Sequence, residues 1–403
     1  MPNTSLTISM VTREALSILE NNLTFAKGVN REYDDQYGVS GAKIGDTLNI
    51  RKPARYIGRT GTAIAVEDHT VTSVPLVLNT QFGVDLSFTS KELALSIDDF
   101  SKRILAPAVA TIANKIDRDG LGLYSQVYQA VGTPATLPSA LKTYLQAGQK
   151  LDESATPRDG NRSLVVSSGM EVEIVDALKG LFQSSTEIKD QYESGNMGKT
   201  AGFKWSMDQN VINHTVGPLG GTPLTNGVPA QGAVTLVTDG WTAAVAARVR
   251  AGDIFTIANV FSVNPQSRQS TGALQQFVVT ANGSSDVGGN LTISISPAIQ
   301  STGAFATVSA LPADNAAMTF LGAANAVSPT GLAYHRDAFV LGCADLQLPK
   351  GVDMASRVSD KKLGMSIRMV RAYDINTDAF PTRFDILYGY KTVYPELACR
   401  IQG

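Results

Sequence analysis

The chain opens on a helical pattern. Between Met10 and Phe25 the apolar residues Ala15, Leu16, Leu19 and Leu23 recur at steps of three or four, which brings them to one helix face. The following stretch, Ala26 to Gly41, is polar and carries Arg31, Glu32, Asp34 and Asp35. It offers too little for a local core to hold and reads as an extended arm whose partner is sought on another chain. From Asp46 to Thr89 the period drops to two. Thr47-Leu48-Asn49-Ile50-Arg51-Lys52 alternates polar and apolar positions, and Val74 to Leu78 and Phe82 to Phe88 do so less cleanly. A two-stranded excursion of this kind is marginal alone in water, so it is expected to dock on something.

The period then lengthens again. Ser96-Ile97-Asp98-Asp99 has a capping residue and acids in the first turn, and Ile97, Phe100, Ile104, Ala108, Ile112 and Ile116 follow at helical steps. A helix continuous to Val127 would be ~45 Å long at 1.5 Å per residue. Pro107 is expected to kink it, with Gly120 and Gly122 as candidate ends or flexing points. A second helix is predicted over Ser139–Leu151, a strand over Ser163–Ser167, and a helix over Met170–Phe182.

Beyond His214 the chain becomes rich in Gly, Pro and Thr, then gives short apolar runs separated by turn residues. The runs are Asp253–Ile257, Gln275–Thr280 and Asn290–Ile295, and residues 211–325 read as one inserted β-domain, a barrel or sandwich. The end returns to long strands, Met365–Tyr373 and Arg383–Tyr390, joined through Asp374-Ile375-Asn376-Thr377-Asp378, with a last strand from Glu396 to Ile401.

Composition narrows the class of protein. Of 403 residues 43% are hydrophobic and 17% charged, which suits a folded chain, and a net charge of -2 excludes a chain-wide basic surface for nucleic acid. Cys343 and Cys399 are too few for a disulfide framework and read as reduced, partly buried thiols. The first 20 residues lack a basic segment followed by an apolar run, so no signal peptide is expected, and no apolar stretch approaches a membrane span.

Patterns that imitate chemistry do not hold together. Gly198-Lys199-Thr200 resembles the end of a phosphate loop, but Glu193 stands where that loop needs glycine. Asp374, Asn376, Asp378 and Asp385 imitate calcium-loop positions, but Ala379 occupies the glycine position and the spacing suits a hairpin turn. Ser139-x-x-Lys142 lacks its companion motifs, and Ser139 reads as a helix cap. His69, His214 and His335 form no metal-ligand pair and read as structural. No catalytic, cofactor or metal site is predicted.

The order of these elements resembles the tailed-phage capsid fold, the Hong Kong type, and more closely the Salmonella podovirus-type coat proteins with an inserted β-barrel. Gly252–Ile257, Val263-Asn264-Pro265-Gln266 and Ser270–Val279 resemble the insertion-domain signature; Leu332–Phe339 is similar to the segment that returns the chain to the core fold; Arg383–Gly389 with Tyr394–Ala398 is similar to the family's end. The resemblance implies an α+β capsid fold. Its parts are an N-terminal arm (1–40), an extended β-loop (41–90), and a peripheral domain with spine helix and long hairpin (91–160 and 361–392). An axial domain (161–210, 326–360 and 393–403) and the inserted barrel (211–325) complete it.

It implies a coat protein, not an enzyme, that self-assembles as hexamers and pentamers into an icosahedral shell. Assembly is helped by a scaffolding protein and followed by expansion around double-stranded DNA. The implied partners include a portal protein and DNA enclosed without sequence-specific binding, with no membrane and no cofactor. The implied place is the virion capsid, assembled in a bacterial cytoplasm. Basic residues of the loop, Arg51, Lys52, Arg55 and Arg59, are expected intersubunit contacts, pairing with acids on a neighbour. The loop tip, Arg55 to Asp68, has no lysine for a covalent cross-link, so a non-covalent shell is expected. A near-neutral chain also suits a container that later releases its DNA. The competing reading, a β-rich decoration or receptor-binding module, accounts for 211–325 but leaves the spine helix and arm without a role.

Overall fold

The computed structural model describes residues 8–34, 47–58, 61, 62, 64, 66, 72–89, 104–178, 198–360 and 364–403. The chain divides into two compact units. The first comprises residues 1–51, 73–120 and 339–393, and the second residues 52–72, 121–338 and 394–403.

In the first unit the helix Ile8–Asn22 buries the predicted stripe, with Ala15 and Leu19 fully covered. A short helix, Phe25–Gly28, leads into strand β1 (Asn30–Asp34). Two strands, β2 (Thr47–Arg51) and β3 (Ser73–Val77), form the predicted two-stranded ribbon, with Thr47 opposite Val77 and Arg51 opposite Ser73. Then come β4 (Thr80–Thr89), β17 (Phe339–Ala344), β18 (Met354–Asp360), β19 (Met365–Arg371) and β20 (Ala379–Thr392). Their sheet runs β1-β17-β20-β19-β18, with β4 also paired to β20.

The start of the arm is therefore held by its own chain. Phe25, Ala26 and Val29 are fully buried, and β1 lies parallel to β17. The carboxylate of Asp117 accepts hydrogen bonds from the amides of Thr24 (2.6 Å) and Ala26 (2.9 Å), satisfying donors at the start of the short helix. Polar composition hid this, because three apolar side chains and one distant carboxylate suffice. Residues 35–46 lie outside the described part.

The described part of the spine helix ends near Gly120 and Gly122, the expected candidate ends. The described α-helix is Ala106–Leu121, followed by a 3-10 helix, Gly122–Gln126. Pro107 lies near the start of this α segment, directly after a π-helical turn at Ile104 and Leu105. Gly120 answers to packing: a Cβ there would lie 2.5 Å from the ring of Phe25. The predicted start at Ser96 lies outside the described residues.

The second unit holds two sheets. Strands β5 (Ala130–Gly132), β6 (Arg162–Val166), β7 (Lys199–Thr200), β8 (Phe203–Met207), β9 (Asn213–Thr215), β16 (Val327–His335) and β21 (Ala398–Gln402) form the first. Its order is β5-β21-β16-β6-β8-β7, with β9 beside β16. The helices Leu141–Glu153 and Ser168–Leu178 supply Tyr144, Ala147, Leu151, Met170 and Ile174 to the core, against Leu164, Phe203, Trp205 and Ile401.

Two domain assignments change here. The helix Leu141–Glu153, expected with the spine, covers this sheet because its apolar face is what the sheet needs. Strands β17 and β18, expected in the axial domain, belong to the sheet of the long hairpin. Nor does Ser139 cap the helix. The cap position is Ala140, with no side-chain bond, while the Tyr144 hydroxyl donates to the carbonyl of Pro138 (3.2 Å).

The inserted domain is a closed barrel. Strands β10 (Gly221–Thr225), β11 (Ala233–Trp241), β12 (Ile254–Val263), β13 (Ser270–Val279), β14 (Leu291–Ile299) and β15 (Met318–Phe320) run in the order β10-β11-β14-β13-β12-β15. A bridge between Leu224 and Ala317 and amide bonds between Thr225 and Ala316 and between Asn315 and Thr225 join the first strand to the last. Closure removes the free edges of a small sheet. Leu236, Phe255, Ile257, Phe277, Ile293 and Ile295 fill the interior, with Phe255 and Phe277 stacked at 5.6 Å.

Candidate assembly interface

The ribbon's alternation puts Leu76 inward, and Leu76 and Leu78 pack where Gly342 of β17 has no side chain; a Cβ there would lie 2.7 Å from each. Gly389 gives the backbone of Val77 the same close approach. The ribbon is thus rooted by glycines in its own unit, and it delivers residues 52–72 as a loop.

Among the described residues of that loop, four large apolar side chains face solvent. Ile64 is 84% exposed and Val66 90%, and Tyr56 and Ile57 are about half exposed. Large apolar side chains left this exposed are candidates for cover by a partner surface.

At the loop's stem the predicted basic residues separate. Arg51 ends β2 in an exposed position. The amide of Lys52 donates to the carbonyl of Thr72 (2.7 Å), and its ammonium lies 4.9 Å over the ring of Tyr394. Burial pulls the Lys52 pKa below the ordinary lysine value, with the Glu396 carboxylate opposing and Arg55 adding to the fall. Arg55 donates to Glu396 at 2.7 Å and lies 5.7 Å from the ring centre of Phe305. Arg55 therefore has an acid within its own chain. Arg59 lies outside the described residues. Beside the stem is a cleft of about 450 Å³ lined by Lys52, Arg55, Tyr128, Gln129, Phe305 and Glu396 among others.

Sequence reasoning missed Tyr394, Glu396 and Phe305, which stand hundreds of positions from Arg55 with no local signal. It also missed Arg400, which is fully buried. Its guanidinium donates to the carbonyls of Val127 and Gly252, both at 2.7 Å, and sits over the Tyr124 ring at 5.5 Å. Burial lowers its pKa to about 10, which leaves it charged at neutral pH. Nearby, His214 bonds Asp253 (2.9 Å) and Tyr124 (3.2 Å), while Asp253 also accepts from the amides of Gly217 and Arg250. His214 is a member of a buried structural network; His335 pairs with Asp159 at 3.1 Å. His69 lies outside the described residues.

The imitations of chemistry resolve in the same way. Lys199 and Thr200 form a short strand antiparallel to β8, so no glycine loop opens a helix there. Asp374 accepts bonds from Asn376 and Thr377 inside the hairpin turn, and Asp385 is buried with its carboxylate 2.6 Å from Arg368. Among the described residues no cluster of three metal-binding side chains exists. Both cysteines are free and buried, and burial pushes each thiol up to about 12.

The family model described as P22 coat protein, gene protein 5, matches residues 2–403. Among solved structures, the capsid of cyanophage P-SCSP1u is 9% identical, with a TM-score of 0.47 over 94% of this chain and 87% of that one. A structure from Mycobacterium phage Che8 is 11% identical, with a TM-score of 0.45 over 94% and 90%. The I-domain of the CUS-3 coat protein is 25% identical over 27% of this chain and all of that one, with a TM-score of 0.20. Among curated proteins nothing matches. The whole-chain family match is decisive: this chain belongs to the P22 coat protein family, has the phage capsid fold, and is a major capsid protein that forms a phage shell rather than an enzyme.

Proposed function

We propose that copies of this chain join as hexamers and pentamers with the help of a scaffolding protein, in the cytoplasm of a host bacterium. The resulting precursor shell carries a portal protein, takes up double-stranded DNA without reading its sequence, and expands. In this reading the domain plan follows the family: arm, extended loop, peripheral and axial domains, and the inserted barrel at 211–325. The loop at 52–72 reaches a neighbouring subunit, where Arg51, Lys52, Arg55 and Arg59 make polar contacts around an apolar tip. The shell is held without covalent cross-links.

The observation that carries this reading is the exposure of Ile64 and Val66 on a ribbon rooted firmly at its base. A second subunit is the cover such a tip calls for in a shell protein. The near-neutral charge supports loose enclosure of DNA, since every neutralised phosphate would strengthen binding. Many modest contacts of this kind add through multivalency while leaving single contacts reversible.

The test is co-expression with a candidate scaffolding protein, followed by sedimentation and negative-stain microscopy. Scaffold-filled precursor shells are expected. Assembly that is equally fast and equally regular without the scaffolding protein would overturn the assisted pathway.

A further inference from the structure

We propose that Arg268, at a turn of the inserted barrel, is a positioning residue for assembly: it grips the stem of the 52–72 loop and sets the loop's course before a neighbour arrives. The assembly role rests on the reading of the loop given above; the grip itself does not.

The turn between β12 and β13 is built to be rigid. The side-chain oxygen of Asn264 accepts from the amides of Gln266 (2.9 Å) and Ser267 (3.0 Å), and its main-chain carbonyl accepts from the amide of Arg268 (2.8 Å). The Asn264 side-chain amide in turn donates to the carbonyl of Glu153 (2.7 Å), which fixes the turn to the end of the helix Leu141–Glu153. From this platform the Arg268 guanidinium donates to two successive loop carbonyls, those of Tyr56 and Ile57, the second at 3.2 Å. A planar fork of donors suits two neighbouring acceptors in a way that a single ammonium does not.

The backbone shows what this arrangement costs. Arg268 has φ +55°, in the left-handed region where glycine or asparagine sits with less strain. The turn alone gives no reason for arginine there; the two carbonyls do. A second barrel loop touches the same stem, because Phe305 lies against Arg55 while Arg55 pairs with Glu396. Each contact is partly exposed and modest alone. Together they act on three consecutive residues, 55 to 57, and reduce the freedom the loop must lose when it docks.

The test is limited chymotrypsin digestion of the unassembled, full-length subunit, reading cleavage after Tyr56. Arg268→Asn keeps a residue that tolerates the left-handed backbone and deletes both bonds. Cleavage after Tyr56 is expected to be about tenfold faster, as for the loss of two hydrogen bonds. Cleavage at the buried barrel sites Phe255 and Phe277 is expected to stay absent. Should Arg268→Asn open the barrel itself, Arg55→Gln decides, because Arg55 lies outside the barrel strands; there a roughly threefold rise is expected. Wild-type cleavage rates in both variants would overturn the grip. Faster cleavage combined with unchanged assembly kinetics would overturn the positioning role while leaving the loop's contact with a neighbour standing.

Discussion

The barrel and the extended loop follow opposite rules within one chain. Both are antiparallel and both interrupt the surrounding domains. The barrel spends its apolar residues inward: Phe255, Phe277 and Val279 are fully covered, and the first and last strands meet. The loop leaves Ile64 and Val66 in water, while at the base of its ribbon Leu76 is buried against Gly342. A region that closes on itself holds its fold alone. A region that leaves its apolar side chains outward is incomplete until another surface covers them.

Substitutions sharpen this contrast. Phe277→Ala should have the largest effect, about 3–5 kcal/mol on unfolding of the barrel, since it empties a fully buried aromatic site. Chemical denaturation of the isolated subunit measures it. Gly342→Ala should cost about 1–3 kcal/mol, because the new methyl meets Leu76 and Leu78 at the root of the ribbon. Hydrogen exchange at β2 and β3 should rise while exchange in the barrel stays the same. Glu396→Gln removes the acid beside Arg55 and should cost only about 0.2–1 kcal/mol, with the difference from wild type shrinking as salt is added. A comparably large loss from all three would break the comparison, since it would make barrel and loop one cooperative unit.

Much of the architecture was legible because period and turn chemistry agreed. The ribbon, the barrel strands around Phe255, Phe277 and Ile293 and the long hairpin through Asp374 all lie within a few residues of where alternation put them. Strands β16 and β17 were harder. Their residues are buried on both faces, from Thr330 to His335 and from Phe339 to Ala344, so no alternation marks them. The buried grouping of Arg400, Tyr124, His214 and Asp253 was invisible for a different reason: its members come from four separate stretches of chain. The loop's basic residues were visible as a group, but the partner of Arg55, Glu396, was not, since a charge pair across more than 300 positions leaves no local trace.

The most direct measurement of the central claim is electron microscopy of shells from the double variant Ile64→Asp, Val66→Asp beside wild type, each co-expressed with the scaffolding protein. Both side chains are exposed in the subunit, so the variant should fold with a stability within about 0.5 kcal/mol of wild type. The account predicts closed shells from wild type, and only free subunits or unclosed fragments from the variant. Shells of normal size and yield from the folded variant would contradict it.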